Sequence, residues 1–332
     1  MPDQYTVEEV ADHAEWDAFL ATARGGNLFS SSRWLACAQA ALPGRVVLLG
    51  CRRNGRLVAG VSGLDRPSRF GRRFATPDLT PHGGILCAPV AGKGPARAEA
   101  EYHRAAGLLA DHLTRHYGHV HLTHTPAVGD TRPFLWAGWN VYPRYTYWLD
   151  RRDLKALWER VERRTRTAIR KAERAGYHLH TVSDLSLLEA LYERVYQRQQ
   201  GGPPVGAATL RRFASHVLEN GLGEAWATSA PDGRPAAVVV FVREGDTVYA
   251  WVAGADPEQA SSGAAPYLYW SFLRQTECTR FDFVGANMPG IAMFKRGFGG
   301  DLVPYYATEG FGSVFLRAVC AVRTLGRQLR GC

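Results

Sequence analysis

The stretch NMPGIAMFKRGFGGDLVPYY, Asn287–Tyr306, follows the strand-like FDFVG of Phe281–Gly285 and holds the most informative residues of the chain. Its glycines permit tight turns and close backbone approach, and they lie at positions 290, 297, 299 and 300. Lys295 and Arg296 lie between two phenylalanines. A cation beside a flat anchor suits a site where negative charge develops during a reaction. The same pattern also fits a plain β-hairpin with a bulge, so the residues alone leave both interpretations open.

Residues 150–175 predict one amphipathic helix with an apolar face and a cationic face. The apolar face consists of Leu154, Leu157, Trp158, Val161, Ala168, Ile169 and Ala172. The opposite face carries Arg163, Arg166, Arg170 and Arg174, flanked by Arg160, Arg164 and Lys171. Only Glu162 and Glu173 oppose these basic side chains, whereas a solvated helix face normally alternates its charges. A cationic ridge of this kind favours a nearby phosphate backbone; an exposed arginine-rich helix is the alternative.

Length and charge fit a two-domain globular protein with acidic partners. The chain has 332 residues, 46% of them hydrophobic, and a net charge of +9. That charge favours RNA, nucleotides or anionic cell-wall precursors, although a composition that simply prefers arginine would give the same sum. The acidic first thirty residues do not predict a secretory signal, and no apolar run is long enough to span a bilayer. Six scattered cysteines without CxxC spacing indicate reduced thiols, so we expect a cytoplasmic enzyme. We also expect a monomer.

The order of predicted elements repeats along the chain. Strand, helix, helix, a hairpin turning at Asn54-Gly55, helix and strand fill residues 1–150, and the same plan returns in residues 151–310. A third segment, 311–332, predicts an amphipathic helix that packs back on the first domain. The fold class is therefore α/β (α+β), with two domains, each a twisted mixed sheet flanked by helices.

Several of these motifs together resemble the FemABX-like aminoacyltransferases of the GNAT superfamily. The resemblance is strongest in the last third of the chain, in PYLYW at Pro266–Trp270, FDFVG and GIAMFKRGFGGDLVPYY at Gly290–Tyr306. The basic segment from Arg163 to Ala172, closed by Gly176, is similar to that family's helix entering its second domain. A shorter element, FSSSRW at Phe29–Trp34, is similar near the N-terminus. The resemblance implies tandem GNAT-like domains.

That resemblance also implies an activity, the transfer of an amino acid from aminoacyl-tRNA to an amine, with the tRNA as co-substrate and no cofactor. Lys295 takes the place of the lysine at the family's donor and acceptor junction, with Asp282 or Tyr305 as a proton relay. Further substrate contacts are predicted for Phe294, Arg296, Asn287, Arg33, Trp34 and Arg198. The tRNA phosphates are predicted to meet Arg163, Arg166, Arg170 and Lys171. The acceptor is either a small specialised-metabolite amine or a peptidoglycan precursor peptide.

Two rival functions remain open from the sequence, a CoA-dependent N-acyltransferase and a non-catalytic RNA-binding protein. GNAT acetyltransferases hold the pyrophosphate of acetyl-CoA on a [QR]-x-x-G-x-[GA] loop that opens a helix. The candidate loop at 259–265, QASSGAA, has its glycine one place late, and residues 104–109 fall inside a predicted helix. These departures favour a donor other than CoA.

Five histidines between residues 112 and 124 invite comparison with a zinc site. His112 and His116 have helical i,i+4 spacing, His119 and His121 share one face of a short strand, and His124 follows. No Cys, Asp or Glu completes a known zinc spacing, so we predict no metal.

Overall fold

The structure, a computed structural model, describes residues 3–68, 71–89, 94–197 and 203–313. The chain forms two compact units, the first from residues up to 39, 43–143 and those from 305 onward, the second from 40–42 and 144–304. The sequence predicted a domain boundary at residue 150, and the change of unit in the structure lies between residues 143 and 144. The predicted helix at 311–332 lies outside the described residues, which end at 313.

The strands and α-helices have the following bounds. The strands are β1 Tyr5–Glu9, β2 Arg45–Arg53, β3 Arg56–Ser68, β4 Gly71–Ala75, β5 Leu86–Cys87, β6 His119–Thr123, β7 Asn140–Asp150, β8 His178–Val182, β9 Gly223–Ser229, β10 Pro235–Glu244, β11 Thr247–Ala255, β12 Arg280–Asp282 and β13 Asp301–Phe311. The α-helices are α1 His13–Leu20, α2 Ser32–Ala41, α3 Pro95–His116, α4 Arg132–Trp136, α5 Leu154–Arg160, α6 Arg163–Arg174, α7 Ser186–Gln197, α8 Ala207–Glu219, α9 Ala264–Gln275 and α10 Pro289–Arg296.

Both units contain a mixed sheet built on the same plan. In the first unit the order is β1-β2-β3-β4-β6-β13, and only β4 and β6 are parallel. In the second unit the order is β8-β9-β10-β11-β12-β7, and only β11 and β12 are parallel. Parallel neighbours need a crossover connection, which α3 supplies in the first unit and α9 in the second. The predicted fold class, with two similar mixed sheets flanked by helices, is confirmed.

The predicted hairpin at Asn54-Gly55 is also present. Asn54 has φ of 51° and Gly55 has φ of 82°, and they join β2 to its antiparallel partner β3. Two successive residues with positive φ match the twist of the flanking strands, for which Asn-Gly is the favoured pair.

Two predicted elements differ from the structure. The single helix over 150–175 is interrupted, because Val161 and Glu162 have extended ψ values of 130° and 143° between α5 and α6. The glycine-rich stretch after Phe281–Gly285 is not a turn or hairpin, because Pro289–Arg296 form the helix α10. Within the described residues, no helix has both the length and the apolar character needed to cross a membrane.

Candidate active site of the second unit

Helix α10 is attached to its own unit through Lys295. The Lys295 ammonium donates to three successive carbonyls, those of Phe283 at 2.8 Å, Val284 and Gly285. These carbonyls converge because Val284 and Gly285 both have positive φ, 52° and 61°. Burial lowers the pKa of Lys295 to about 8, and the negative charge of Asp282 opposes that shift. The three donors of this ammonium are therefore used by the turn that follows β12.

Asp282 is the second buried charge beneath that turn. Its side chain is 1% exposed and accepts hydrogen bonds from the Thr146 hydroxyl at 2.6 Å, the Trp148 indole at 2.8 Å and the Val284 amide at 2.8 Å. Three donors satisfy the hydrogen-bonding needs of a buried carboxyl group. Asp282 thus holds the start of the turn whose carbonyls bind Lys295, and it has no exposed surface for proton exchange with a substrate.

Phe294, in the last turn of α10, and Asn287, just before the helix, both anchor α10 to the rest of the unit. Phe294 packs on Tyr269 and Phe298, with ring centroids 5.5 and 5.4 Å apart, as part of an aromatic cluster in the core of this unit. The Asn287 side-chain oxygen accepts the Tyr145 amide at 2.9 Å. Both side chains therefore hold α10 in place, and Phe294 remains only partly buried.

The start of α6 lies directly against the end of α10. Arg164 donates to the Met293 carbonyl at 3.2 Å, and the Glu162 amide donates to the Gly297 carbonyl at 2.9 Å. The Glu162 carboxylate pairs with Arg164 at 2.8 Å and with Arg296 at 3.1 Å. The cationic helix and the lysine-bearing helix, far apart in sequence, thus form one surface.

Glycines of the FKRGFGG motif allow that approach. A Cβ on Gly299 would lie 2.5 Å from the Arg160 carbonyl carbon, and one on Gly297 would lie 2.4 Å from the Thr165 hydroxyl. Gly299 also has a φ of 76°. The motif glycines therefore serve close packing against the α5–α6 junction.

We expect Gly299→Ala to lower the free energy of unfolding by about 2 kcal/mol or more, because it adds both a clash and backbone strain. Gly290→Ala is the matched control, since a Cβ there meets nothing within 4 Å and the residue lies inside α10. Urea denaturation of both variants checks this. An equal effect of the two substitutions would contradict the packing role of Gly299.

The predicted RNA-contacting cations occupy different environments. Arg166 donates to the carbonyls of Trp158, Glu159 and Val161 and so caps the end of α5. The exposed Arg170 guanidinium lies 5.5 Å from the Trp158 ring centroid, and the Lys171 ammonium donates to the Ser261 carbonyl at 2.7 Å. Arg163 is exposed at the start of α6. Arg163 and Arg170 keep their charge at the surface, whereas Arg166 is committed to holding the helix break.

Helix α6 also covers the start of α9. Gly263, with φ of 87°, precedes α9, and a Cβ there would lie 2.1 Å from the Ala168 carbonyl oxygen. The Ser262 hydroxyl accepts the Ala264 amide at 3.0 Å, the Tyr267 amide bonds to Gly263, and Pro266 has no amide hydrogen. The start of α9 therefore has little donor capacity left for a pyrophosphate.

The remaining predicted residues belong to the first unit or lie outside the description. Arg33 is exposed on α2, whereas Trp34 is fully buried and donates from Nε1 to the Thr80 hydroxyl at 3.0 Å. Trp34 thus has no surface available to a substrate. Tyr305 is 6% exposed, and its ring meets the His82 ring edge-on at 5.1 Å. Arg198 lies outside the described residues.

The histidines around residue 120 make hydrogen bonds within the first unit. Both ring nitrogens of the buried His124 are bonded, to the Ile85 amide at 3.1 Å and the Thr308 hydroxyl at 2.9 Å. Burial lowers the pKa of His124 to about 3, so the ring is neutral. The His119 ring pairs with the Glu309 carboxylate at 2.8 Å.

A cavity of about 940 Å³ also lies in the first unit, beside α3. Glu99 and Asp130 on its wall form, with His103, a group with metal-ligand geometry among the described residues. Arg132 already donates to both carboxylates, at 2.7 and 2.8 Å. A guanidinium therefore occupies the position that a cation would take.

Sequence reasoning missed the importance of Arg164 and Glu162. Helical periodicity placed Arg164 on a flank and treated Glu162 as a minor opposing charge. Their role depends on α10, which lies about 130 residues further along the chain. The only local signal was an acidic residue between basic ones at the helix break.

Comparisons with known proteins agree with the fold. Residues 159–296 match the family model described as an acetyltransferase (GNAT) domain. The fold is similar to that of FemX, with 13% identity, a TM-score of 0.64 and coverage of 91% of this chain and 96% of that one. A tandem GNAT protein from the clavulanic acid biosynthesis pathway, described without AcCoA, has 14% identity, a TM-score of 0.56 and coverage of 93% and 99%. L-PGS from Bacillus licheniformis has 12% identity, a TM-score of 0.54 and coverage of 96% and 97%.

Residues 159–296 therefore match a GNAT domain model, and the fold of the described chain is similar to that of FemX and of a tandem GNAT protein. The tandem GNAT-like fold that the sequence resemblance predicted is confirmed by this likeness. No curated protein sequence matches this chain.

Proposed function

We propose that this protein transfers an amino acid from an aminoacyl-tRNA to an amine acceptor. The observation that carries the proposal is the contact between the cationic start of α6 and the end of α10, through Arg164, Glu162 and Arg296. The cationic surface of α6, which suits RNA phosphates, therefore adjoins the lysine-bearing helix α10 within one unit. The acceptor is a small specialised-metabolite amine or the peptide of a peptidoglycan precursor.

The chemistry of this transfer needs positioning more than a strong base. The acceptor amine attacks the ester carbonyl, the new C–N bond forms, and the C–O bond to the tRNA ribose breaks. The proton lost by the amine goes to the departing ribose oxygen, so atoms and charges balance. Because the ester is already activated, holding the two reactants in line supplies much of the rate. This fits a site in which Asp282 is buried and saturated with hydrogen bonds.

Lys295 contributes as a positioning residue with a charge. Its ammonium fixes the Phe283–Gly285 turn and so holds α10, whose last turn also carries Arg296. The positive charge at the end of α10 favours the oxyanion that forms at the ester carbonyl. A direct contact with that oxyanion requires Lys295 to release one of its three carbonyl partners.

The start of α9 favours an RNA-borne donor over acyl-CoA. The amides that open this helix are largely used by Ser262 and Gly263, and α6 packs against Gly263. A pyrophosphate needs several free amides at a helix start. The cations of α6 instead suit phosphates strung along a polynucleotide.

We expect amide formation with purified protein, charged tRNA and a panel of amines, and we expect ribonuclease treatment of the tRNA to abolish it. Acetyl-CoA should neither replace the charged tRNA nor raise the melting temperature, whereas tRNA should raise it. Turnover that survives ribonuclease and requires acetyl-CoA would refute the proposal in favour of a CoA-dependent enzyme. RNA binding without any transfer would favour a binding protein.

A further inference from the structure

Glu162 lies between two arginines from different helices of the second unit. Its two carboxylate oxygens accept separately, one from Arg164 at the start of α6 and the other from Arg296 at the end of α10. The three side chains are partly exposed, with 53%, 56% and 32% of the surface of Arg164, Arg296 and Glu162 accessible. The carboxylate is thus a reachable anion held by a two-arginine fork.

The position of this carboxylate has the chemistry of a phosphate site. Two guanidinium groups converge on it, and the first-turn amides of α6 begin at Arg163, next to it. The first amides of a helix have no partner inside the helix and favour an anion. Two converging arginines are well suited to the oxygens of a phosphate.

We propose that Glu162 occupies a phosphodiester site of the RNA substrate and that an RNA phosphate replaces its carboxylate between Arg164 and Arg296. This inference rests on the proposed function, because it names where the tRNA backbone contacts the transferase. The Glu162 backbone stays in place during the exchange, since its amide is bonded to the Gly297 carbonyl at 2.9 Å. Only the side chain has to rotate away.

Such an exchange is energetically feasible. Exposed ion pairs contribute little to stability, so opening the two pairs of Glu162 costs little. A phosphate that takes the place of the carboxylate restores both contacts and releases counterions from the RNA. Glu162 would then keep the fork ordered in the free enzyme and weaken its binding of stray anions. Arg296 directly follows Lys295, so the bound phosphate is held beside the lysine-bearing end of α10.

Replacing Glu162 by glutamine tests the idea, because the variant keeps the side-chain shape but removes the competing charge. With deacylated bulk tRNA as the probe, we expect Glu162→Gln to bind about 3–10-fold tighter at about 100 mM KCl. The matched control is Glu159→Gln, which removes an equal charge from the neighbouring, exposed end of α5. That control should change the affinity by less than about twofold.

A second variant tests whether the tighter tRNA binding of Glu162→Gln depends on the two arginines. Adding Arg296→Gln to Glu162→Gln should remove the gain, and Arg296→Gln alone should weaken tRNA binding. Inorganic phosphate at millimolar concentration, used as a competitor, distinguishes a site for any phosphate from one that needs the polynucleotide. Melting temperatures show that each variant is folded.

The outcomes separate this inference from the function on which it rests. Equal tightening by Glu162→Gln and Glu159→Gln, or weaker binding by Glu162→Gln, would overturn the phosphate site while leaving the transferase proposal intact. A wild-type protein that neither binds tRNA nor uses charged tRNA would overturn both.

Discussion

Lys295→Met is expected to reduce aminoacyl transfer by about 100-fold or more and to lower the free energy of unfolding by about 2–4 kcal/mol. The substitution keeps a similar length but leaves the carbonyls of Phe283, Val284 and Gly285 without their shared donor. The turn and α10 then lose their common attachment. Transfer assays and urea denaturation of the same preparation measure the two effects.

Lys155→Met is the matched control, because Lys155 lies exposed on α5 and its side-chain ammonium makes no hydrogen bond or ion pair with any of the described residues. It should leave both transfer and stability nearly unchanged. Full activity of Lys295→Met would refute any role of that lysine in the reaction. Lost stability with normal transfer would reduce Lys295 to a purely structural residue.

The pH dependence of Lys295 provides a readout that a purely structural role would not give. If the charged form is required, transfer falls as the pH rises through about 8, the pKa to which burial lowers this lysine. Lys295→Arg should lose that descending limb, because arginine stays protonated throughout the range.

The contribution of Lys295 to folding stability changes with pH in the opposite direction to the transfer activity. Between about 8 and the ordinary lysine value of 10.5 the unfolded chain binds more protons, so this residue's contribution to stability rises with pH.

Replacing both Arg163 and Arg164 by glutamine is expected to weaken tRNA binding by about tenfold at about 100 mM salt and to reduce the salt slope by about 2. Both residues stand at the start of α6, and Arg164 belongs to the surface shared with α10. Anisotropy titrations with tRNA at several KCl concentrations give both quantities. The two arginines should act mainly through phosphates, so the loss should be similar for different tRNA sequences.

A control pair for that variant is Arg152→Gln with Arg234→Gln. Both residues are exposed in the same unit, and each is already paired with an aspartate two positions earlier. This double variant removes the same two positive charges as the Arg163 and Arg164 variant. An equal loss of tRNA binding would therefore mean that net charge, and not the start of α6, attracts the RNA. An unchanged salt slope in the Arg163 and Arg164 variant would also contradict phosphate contact.

Local patterns accounted for most of the fold. The Asn54-Gly55 hairpin depends on the preference of two neighbouring residues for positive φ, which the sequence displays directly. Residues 104–109 lie inside α3, and so the helix predicted for them is present. Helical and strand periodicity acts over a few residues, and so the repeated element order of the two units could be predicted.

The details of the site depended on contacts that periodicity does not encode. The break between α5 and α6 occurs where Glu162 bonds to Gly297 and where Gly299 lies against Arg160. Arg166, predicted to face RNA, turns back to the carbonyls at the end of α5 because that break leaves them exposed. A continuous helix would have had no such acceptors.

The sequence by itself determined the two mixed sheets, the position of Lys295 beside an aromatic anchor, and the excess of positive charge in residues 160–174, because these follow from residue type and local spacing. Only the tertiary structure decided which groups these charges meet. Lys295 meets three carbonyls, Arg166 caps a helix, and Arg164 and Arg296 share Glu162. The physical reason is that a long charged side chain takes its partner from whatever backbone or charge the fold brings within a few ångströms, and for Arg296 and Glu162 that partner lies 134 positions away in the chain.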